Sequence, residues 1–136
     1  MSEGPSATGD RPSGGEGSRP IRSYEDLEAW QFAVALAESV YRATEAFPTD
    51  ETFGLRSQMR RAAVSVPSNI AEGWGRQSRK DYVRFLRTAR GSLYELQTQV
   101  EIACRVGLLA PDNAGTLRGD ADRAGRVLHG LIRSLA

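Results

Sequence analysis

The sequence holds one cysteine and one histidine in 136 residues. A lone Cys104 excludes an internal disulfide. Nucleophilic catalysis needs a base within reach of the nucleophile, and neither Cys104 nor His129 sits in such a pattern. Cys104 reads as a small core or boundary residue and His129 as a surface or interface residue. No Glu-x-x-His pair occurs, so the di-iron bundle pattern is absent. Glu95 and Glu101 are not at i, i+4 spacing, and Asp120 and Asp122 do not share a helix face. The expectation is a protein without catalysis, metal or cofactor.

Long apolar runs are also missing. Nothing approaches the roughly 18 residues that span a bilayer. The first 20 residues, MSEGPSATGDRPSGGEGSRP, lack the charged-then-apolar order of a signal peptide. They are almost all Gly, Ser, Pro and charge, which cannot bury enough apolar surface to offset ordering entropy. They read as a disordered tail ahead of one domain over 21–136, in a soluble cytoplasmic protein with no membrane partner.

A period of two is absent as well, which argues against a sheet. Four stripes with steps of 3 and 4 take its place. The first is Leu27, Trp30, Val34, Ala37, Tyr41 and Thr44; the second is Leu55, Met59, Ala62, Val66 and Ile70. The third is Tyr82, Leu86, Ala89, Leu93, Leu96, Val100 and Ala103. The fourth is Leu117, Ala121, Ala124, Leu128, Leu131 and Leu135. Such steps hold a stripe on one helix face. Ser23 with Asp26, Thr49 or Asp50, and Ser78 with Asp81 are cap candidates. Gly107 suits a helix end and Pro111 a first turn. Short loops make neighbours antiparallel. The predicted fold is all-α, an antiparallel up-down four-helix bundle. Val40, Val83, Phe85, Tyr94, Ile102, Val127 and Ile132 lie beside the stripes, a surplus of apolar width that hints at self-association.

One segment interrupts this regularity: SVPSNIAEGWGR, residues 65–76. It lacks the glycine spacing and the Lys-Ser/Thr of a phosphate loop. Pro67 sits inside the second stripe, where it deprives the Ala63 carbonyl of an amide donor. A bend is expected there, with Ser65 or Ser68 satisfying local backbone groups. Gly73 and Gly75 fit a left-handed helix end. The small residues Ala62, Ala63, Ser65, Ser68 and Ala71 on one helix, with Gly91 and Ser92 on the next, allow close approach. Asn69 and Glu72 fall near that corner. Structural hydrogen bonds are the plainer reading of both, and a direct functional role is the alternative.

Net charge is +1, but it is unevenly spread. Residues 56–90 carry nine basic side chains against Glu72 and Asp81, a net of +7. Residues 23–51 carry seven acids against Arg42, a net of −6. Such a layout suits anion contact on one side or association of unlike surfaces. Arg56 and Arg60, with Arg61 beside them, line the second helix; Lys80, Arg84 and Arg87 line the third. On neighbouring helices these lines would make one basic face for phosphates, with salt-sensitive, sequence-tolerant binding. The alternative is that the arginines pair with acids of neighbouring helices or subunits. Trp74 is the one stacking candidate, and it reads first as a packing anchor.

The order YEDLEAWQ at 24–31, LRSQMRRAAVSVPSNIAEG at 55–73 and FLRTARGSLYEL at 85–96 resembles the four-helix-bundle proteins encoded in intervening sequences of 23S ribosomal RNA genes. That family is similar in fold to the accessory variability proteins of diversity-generating retroelements. The resemblance implies a homopentamer and a role linked to RNA or to a ribonucleoprotein partner such as a reverse transcriptase. It implies no catalysis.

Overall fold

The computed structural model describes residues 20–52 and 54–136. Helix α1 spans Glu28–Thr44, α2 Leu55–Trp74, α3 Arg79–Arg105 and α4 Pro111–Leu135. Two single 3-10 turns, Tyr24–Asp26 and Thr49–Glu51, precede α1 and α2. No strand occurs among the described residues. The expected disordered tail over 1–20 lies, apart from Pro20, outside them.

Cross-helix contacts fix the topology. Arg56 and Arg60 of α2 reach Thr44 and Tyr41 of α1 in that order. Gly73 and Ser65 of α2 meet Phe85 and Ser92 of α3. Arg118 and His129 of α4 meet Glu101 and Arg90 of α3. Ser39 of α1 donates to Asp120 of α4, and Arg123 lies over Phe32. In each pair one number rises as the other falls, so all four neighbours run antiparallel. Each helix packs on two others and none crosses a diagonal. This is the up-down four-helix bundle expected from the stripes.

The third stripe is buried along its whole length, from Tyr82 to Ala103. Met59, Ala62, Val66 and Ile70 of the second are buried, together with Ala63, Pro67 and Gly73. In the fourth, Leu117, Ala121, Ala124 and Leu128 are buried, while Ile132 replaces Leu131 and Leu135 in the core. The first stripe is displaced. Helix α1 buries Ala29, Ala33, Leu36, Val40 and Thr44. Trp30 and Ala37 are half-buried, and Val34 and Tyr41 are exposed. Val40, Val83 and Ile132, read from the sequence as surplus, are core residues. Burial of such apolar area, at about 25 cal/mol per Å² removed from water, is the main stabilising term.

The helix ends follow local chemistry. The Ser23 and Asp26 capping box forms, but it closes the 3-10 turn rather than α1. Thr49 and Asp50 do not cap α2; Glu51 does, its Oε1 accepting from the Leu55 amide at 2.8 Å. Ser78 Oγ accepts from the Asp81 amide at 3.1 Å at the start of α3. Gly107 has φ +83°, and the Leu108 amide donates back to the Ala103 carbonyl at 2.9 Å. A left-handed residue after the helix permits that return bond. Pro111 opens α4.

Helix α2 continues through Pro67, which is buried. Gly73 and Gly75 are not left-handed: Gly107 is the positive-φ glycine among the described residues. Gly73 lies inside the helix because α3 crosses it closely. A Cβ there would stand 2.9 Å from Phe85 Cβ and 3.0 Å from Tyr82 Cδ1. Ser65 Oγ meets Ser92 Oγ across the same seam at 2.8 Å. Asn69 Nδ2 donates to the Ser65 carbonyl at 2.8 Å and to Ser65 Oγ at 3.0 Å. Trp74 is half-buried, edge-on to Tyr82 at 6.2 Å, and acts as a packing anchor.

Candidate nucleic-acid interface

The six basic residues singled out in the sequence fall into two groups. Although α2 and α3 are neighbours, Arg56 and Arg60 face α1, so the two lines do not merge into one face. Arg56 Nε donates to the Thr44 carbonyl at 3.1 Å, and its Nη2 donates to the Phe47 carbonyl. Arg60 Nε donates to Thr44 Oγ1 at 2.9 Å and its Nη2 to the Tyr41 carbonyl at 3.1 Å. Its guanidinium carbon sits 4.4 Å from the Tyr41 ring centroid. The last carbonyls of a helix have no intrahelical donor, and a cation there also complements the helix dipole. These two arginines tie α2 to the end of α1. Arg61 is exposed and lines the same groove as Tyr41, Ser57 and Val64.

Lys80, Arg84 and Arg87 form the second group. Spacings of 4 and 3 place them on one line, and all three are exposed. The line starts at the capped end of α3 and runs away from the core. Arg79 is exposed beside it. Arg76, from the turn before α3, joins from the α2 side. The guanidinium carbons of Arg76 and Arg84 lie 4.5 and 4.9 Å from the Phe85 ring centroid. Phe85 thus holds two arginines at one corner of the bundle, by attraction between cation and ring face. Glu72 lies 3.8 Å from Arg76 and Asp81 3.4 Å from Arg84. These are exposed i, i+4 and i, i+3 pairs, weak in water, so the positive potential of the corner persists. Arg87 has no ion-pair partner among the described residues.

The remaining titratable groups are dispersed. Arg90 Nη1 lies 3.3 Å from His129 Nδ1 on the surface. Cys104 is half-buried. Arg105 and Arg118 both bond Glu101, at 2.7 and 2.6 Å, and lower its pKa. Burial pushes the Tyr82 phenol well above its usual value. Among the described residues no group of three or more His, Cys, Asp or Glu gathers as metal ligands would. No helix of the described residues is long and apolar enough to cross a membrane.

The family model described as 23S rRNA-intervening sequence protein matches residues 25–130. The chain belongs to that family. None of the curated proteins compared with it matches. Among solved structures, the chain is similar to a protein of unknown function from the S23 ribosomal protein family of Bacteroides thetaiotaomicron VPI-5482. The identity is 19%, the TM-score 0.70, and the match covers 77% of this chain and 95% of that one. At that identity the likeness supports the fold alone. The span matched by the family model, residues 25–130, contains the whole α2–α3 seam and the basic corner.

Of the sequence motif around Pro67, Gly73 serves the helix seam, and Asn69 bonds Ser65 one turn back on α2. Glu72 is exposed beside Arg76. The sequence reading missed the role of Phe85. Its signal was present as aromatic–basic interleaving, Arg84-Phe85 followed by Arg87, on a helix whose neighbour ends in Arg76.

Proposed function

We propose that this member of the family is a non-enzymatic, homo-oligomeric four-helix bundle that binds RNA, alone or within a ribonucleoprotein, in the cytoplasm. The observation that carries the reading is the exposed line Lys80, Arg84 and Arg87, joined at one corner by Arg79 and by Arg76. Such a surface contacts phosphates and releases counterions, with little reading of sequence. Arg56 and Arg60 have structural work at the end of α1 and contribute field rather than direct contacts. The likeness to accessory variability proteins adds a reverse transcriptase as the kind of ribonucleoprotein partner, and a pentamer as the assembly.

The test is fluorescence-polarisation titration with single-stranded and structured RNA over a range of salt. Three phosphate contacts on a single strand give a slope of log K against log salt of about −2. Arg84→Glu with Arg87→Glu removes binding and leaves the oligomeric mass unchanged. Absence of binding at low salt overturns the RNA reading. A second reading is an oligomeric protein scaffold without nucleic-acid contact. The inward commitment of Arg56 and Arg60 favours it, since it shows basic residues used for architecture. Under it the same double substitution disturbs assembly.

A further inference from the structure

Positive charge continues from the basic corner onto a second helix. Residues 82–94 of α3 and 123–136 of α4 contain six arginines and no acidic side chain. The two helices are antiparallel, and these stretches lie side by side. Arg90 Nη1 is 3.3 Å from His129 Nδ1, and the Cβ position of Gly125 is 3.2 Å from Leu93 Cδ2. On α3, Arg84, Arg87 and Arg90 follow one another in steps of 3. Such a step falls short of the 3.6-residue turn, so the line winds round the helix. The Arg90 contact fixes the direction as toward α4. On α4, Arg126, His129 and Arg133 step by 3 and 4 and hold one line. All three are exposed. The sixth arginine, Arg123, turns instead to α1, over Phe32 and beside Asp120. Arg87, Arg90, Arg126 and Arg133 have no ion-pair partner among the described residues. Charge of one sign with no acid beside it sets up a field that attracts a polyanion.

We infer that this α3/α4 edge is a seat for double-helical RNA, the arginines of α3 meeting the phosphates of one strand and those of α4 the phosphates of the other. This rests on the RNA-binding reading and names the form of the RNA. Three features support it. First, the cations form two rows on two helices, whose axes lie about 8–10 Å apart in ordinary packing. One backbone running along the edge satisfies one row and leaves the other in water, whereas two backbones satisfy both. The narrow major groove of an A-form helix brings the phosphates of its two strands close together. Second, the rows match in length. Arg84 to Arg90 rises about 9 Å and Arg126 to Arg133 about 10 Å at 1.5 Å per residue. Third, the edge offers little to unpaired bases. Proteins that hold single strands stack successive bases on aromatic rings. Here Phe85 is half-buried and already faces Arg76 and Arg84. Helix α4 carries no aromatic ring, and Tyr94 is the one exposed ring of α3. Phosphate contacts without base contacts recognise the shape of the helix and tolerate its sequence.

The experiment compares three labelled RNAs by fluorescence polarisation. They are a duplex of about 16 base pairs and each of its strands alone, with a sequence that does not fold on itself. The wild type is expected to bind the duplex about tenfold or more tighter than either strand at the same salt. Arg126→Gln with Arg133→Gln removes two charges of the α4 row. Circular dichroism and light scattering establish that this variant folds and assembles as the wild type does. Its duplex affinity is expected to fall about tenfold, and its slope of log K against log salt to flatten by about 2. Its single-strand affinity is expected to stay as it was. A wild type that binds strands as tightly as the duplex overturns the inference and leaves the RNA reading standing. So does a folded α4 variant whose duplex binding is unchanged, or whose duplex and single-strand binding fall equally. A wild type that binds none of the three RNAs at low salt overturns both.

Discussion

Glycine plays opposite parts on the two sides of this bundle. On α2, Gly73 is buried where α3 crosses, and an added Cβ would press against the Phe85 Cβ and the Tyr82 ring and carbonyl. On α4, Gly115, Gly119 and Gly130 point into open space; at most, the Gly130 Cβ would stand 4.0 Å from an Arg133 nitrogen. Helical glycine costs about 1 kcal/mol against alanine. At Gly73 that cost is offset by a close helix crossing. On the outer side of α4 nothing among the described residues offsets it. Gly125, the remaining glycine of α4, is intermediate, with its Cβ position 3.2 Å from Leu93 Cδ2. The α2–α3 seam at Gly73 is therefore the tighter contact, and α4 is held by its buried stripe despite poor intrinsic propensity.

The comparison breaks most clearly at Gly73. Gly73→Ala forces the seam apart, and overpacking of this kind costs 1–3 kcal/mol. After the helix-propensity gain of about 1 kcal/mol, a net loss of up to about 2 kcal/mol is expected, measured by urea unfolding. A loss near zero would mean that the seam is slack. The next largest effect has the opposite sign. Gly115→Ala with Gly119→Ala stabilises by about 1.5 kcal/mol in total, and hydrogen exchange in α4 slows accordingly. A destabilisation would reveal a partner helix that needs those glycines.

Tyr82 sharpens the same contrast, since it lies in the tight seam with its hydroxyl buried and without a hydrogen-bond partner among the described residues. An unsatisfied buried hydroxyl costs about 1 kcal/mol or more. Tyr82→Phe is expected to stabilise by about 1 kcal/mol at neutral pH. The phenol is held above its ordinary value by burial, so the folded state keeps its proton while the unfolded chain loses it above about pH 10. Stability from this group is complete below pH 10 and falls as pH rises beyond it, by about 1.4 kcal/mol per pH unit. The Phe variant removes that slope. Equal alkaline slopes in both proteins would place the effect elsewhere.

The bundle was legible because a helix stripe needs only a spacing. The α3 stripe is the clearest instance, with each of its seven residues buried. Spacing alone does not set phase, and α1 shows the consequence. The buried set Ala29, Ala33, Leu36, Val40 and Thr44 and the outer set of half-buried Trp30 and Ala37 with exposed Val34 and Tyr41 share the same steps of 3 and 4. The second set is bulkier and reads as the core. The fold chooses the first because its alanines let α1 pack closely on α2 and α4. The arginines were misread for a related reason. Charge can be counted from a sequence, whereas the carbonyls at the end of α1 come within reach of Arg56 and Arg60 only when α2 folds back. Gly73 likewise looked like a helix terminator, because a Gly-x-Gly pair near a helix end gives no sign of a crossing helix.

The smallest effect tests the polar stitching of the seam. Asn69 donates both to the Ser65 carbonyl and to Ser65 Oγ, and Ser65 Oγ meets Ser92 across the helices. All three side chains are half-buried, so water replaces part of what a substitution removes. Asn69→Ala is expected to cost about 0.5–1 kcal/mol. If the hydrogen bonds act as one chain, Asn69→Ala and Ser92→Ala are non-additive, because either breaks the link through Ser65. A double-mutant cycle reads this directly. Full additivity would mean that Asn69 serves only the local turn of α2, and that the close approach permitted by Gly73 holds the seam without polar help.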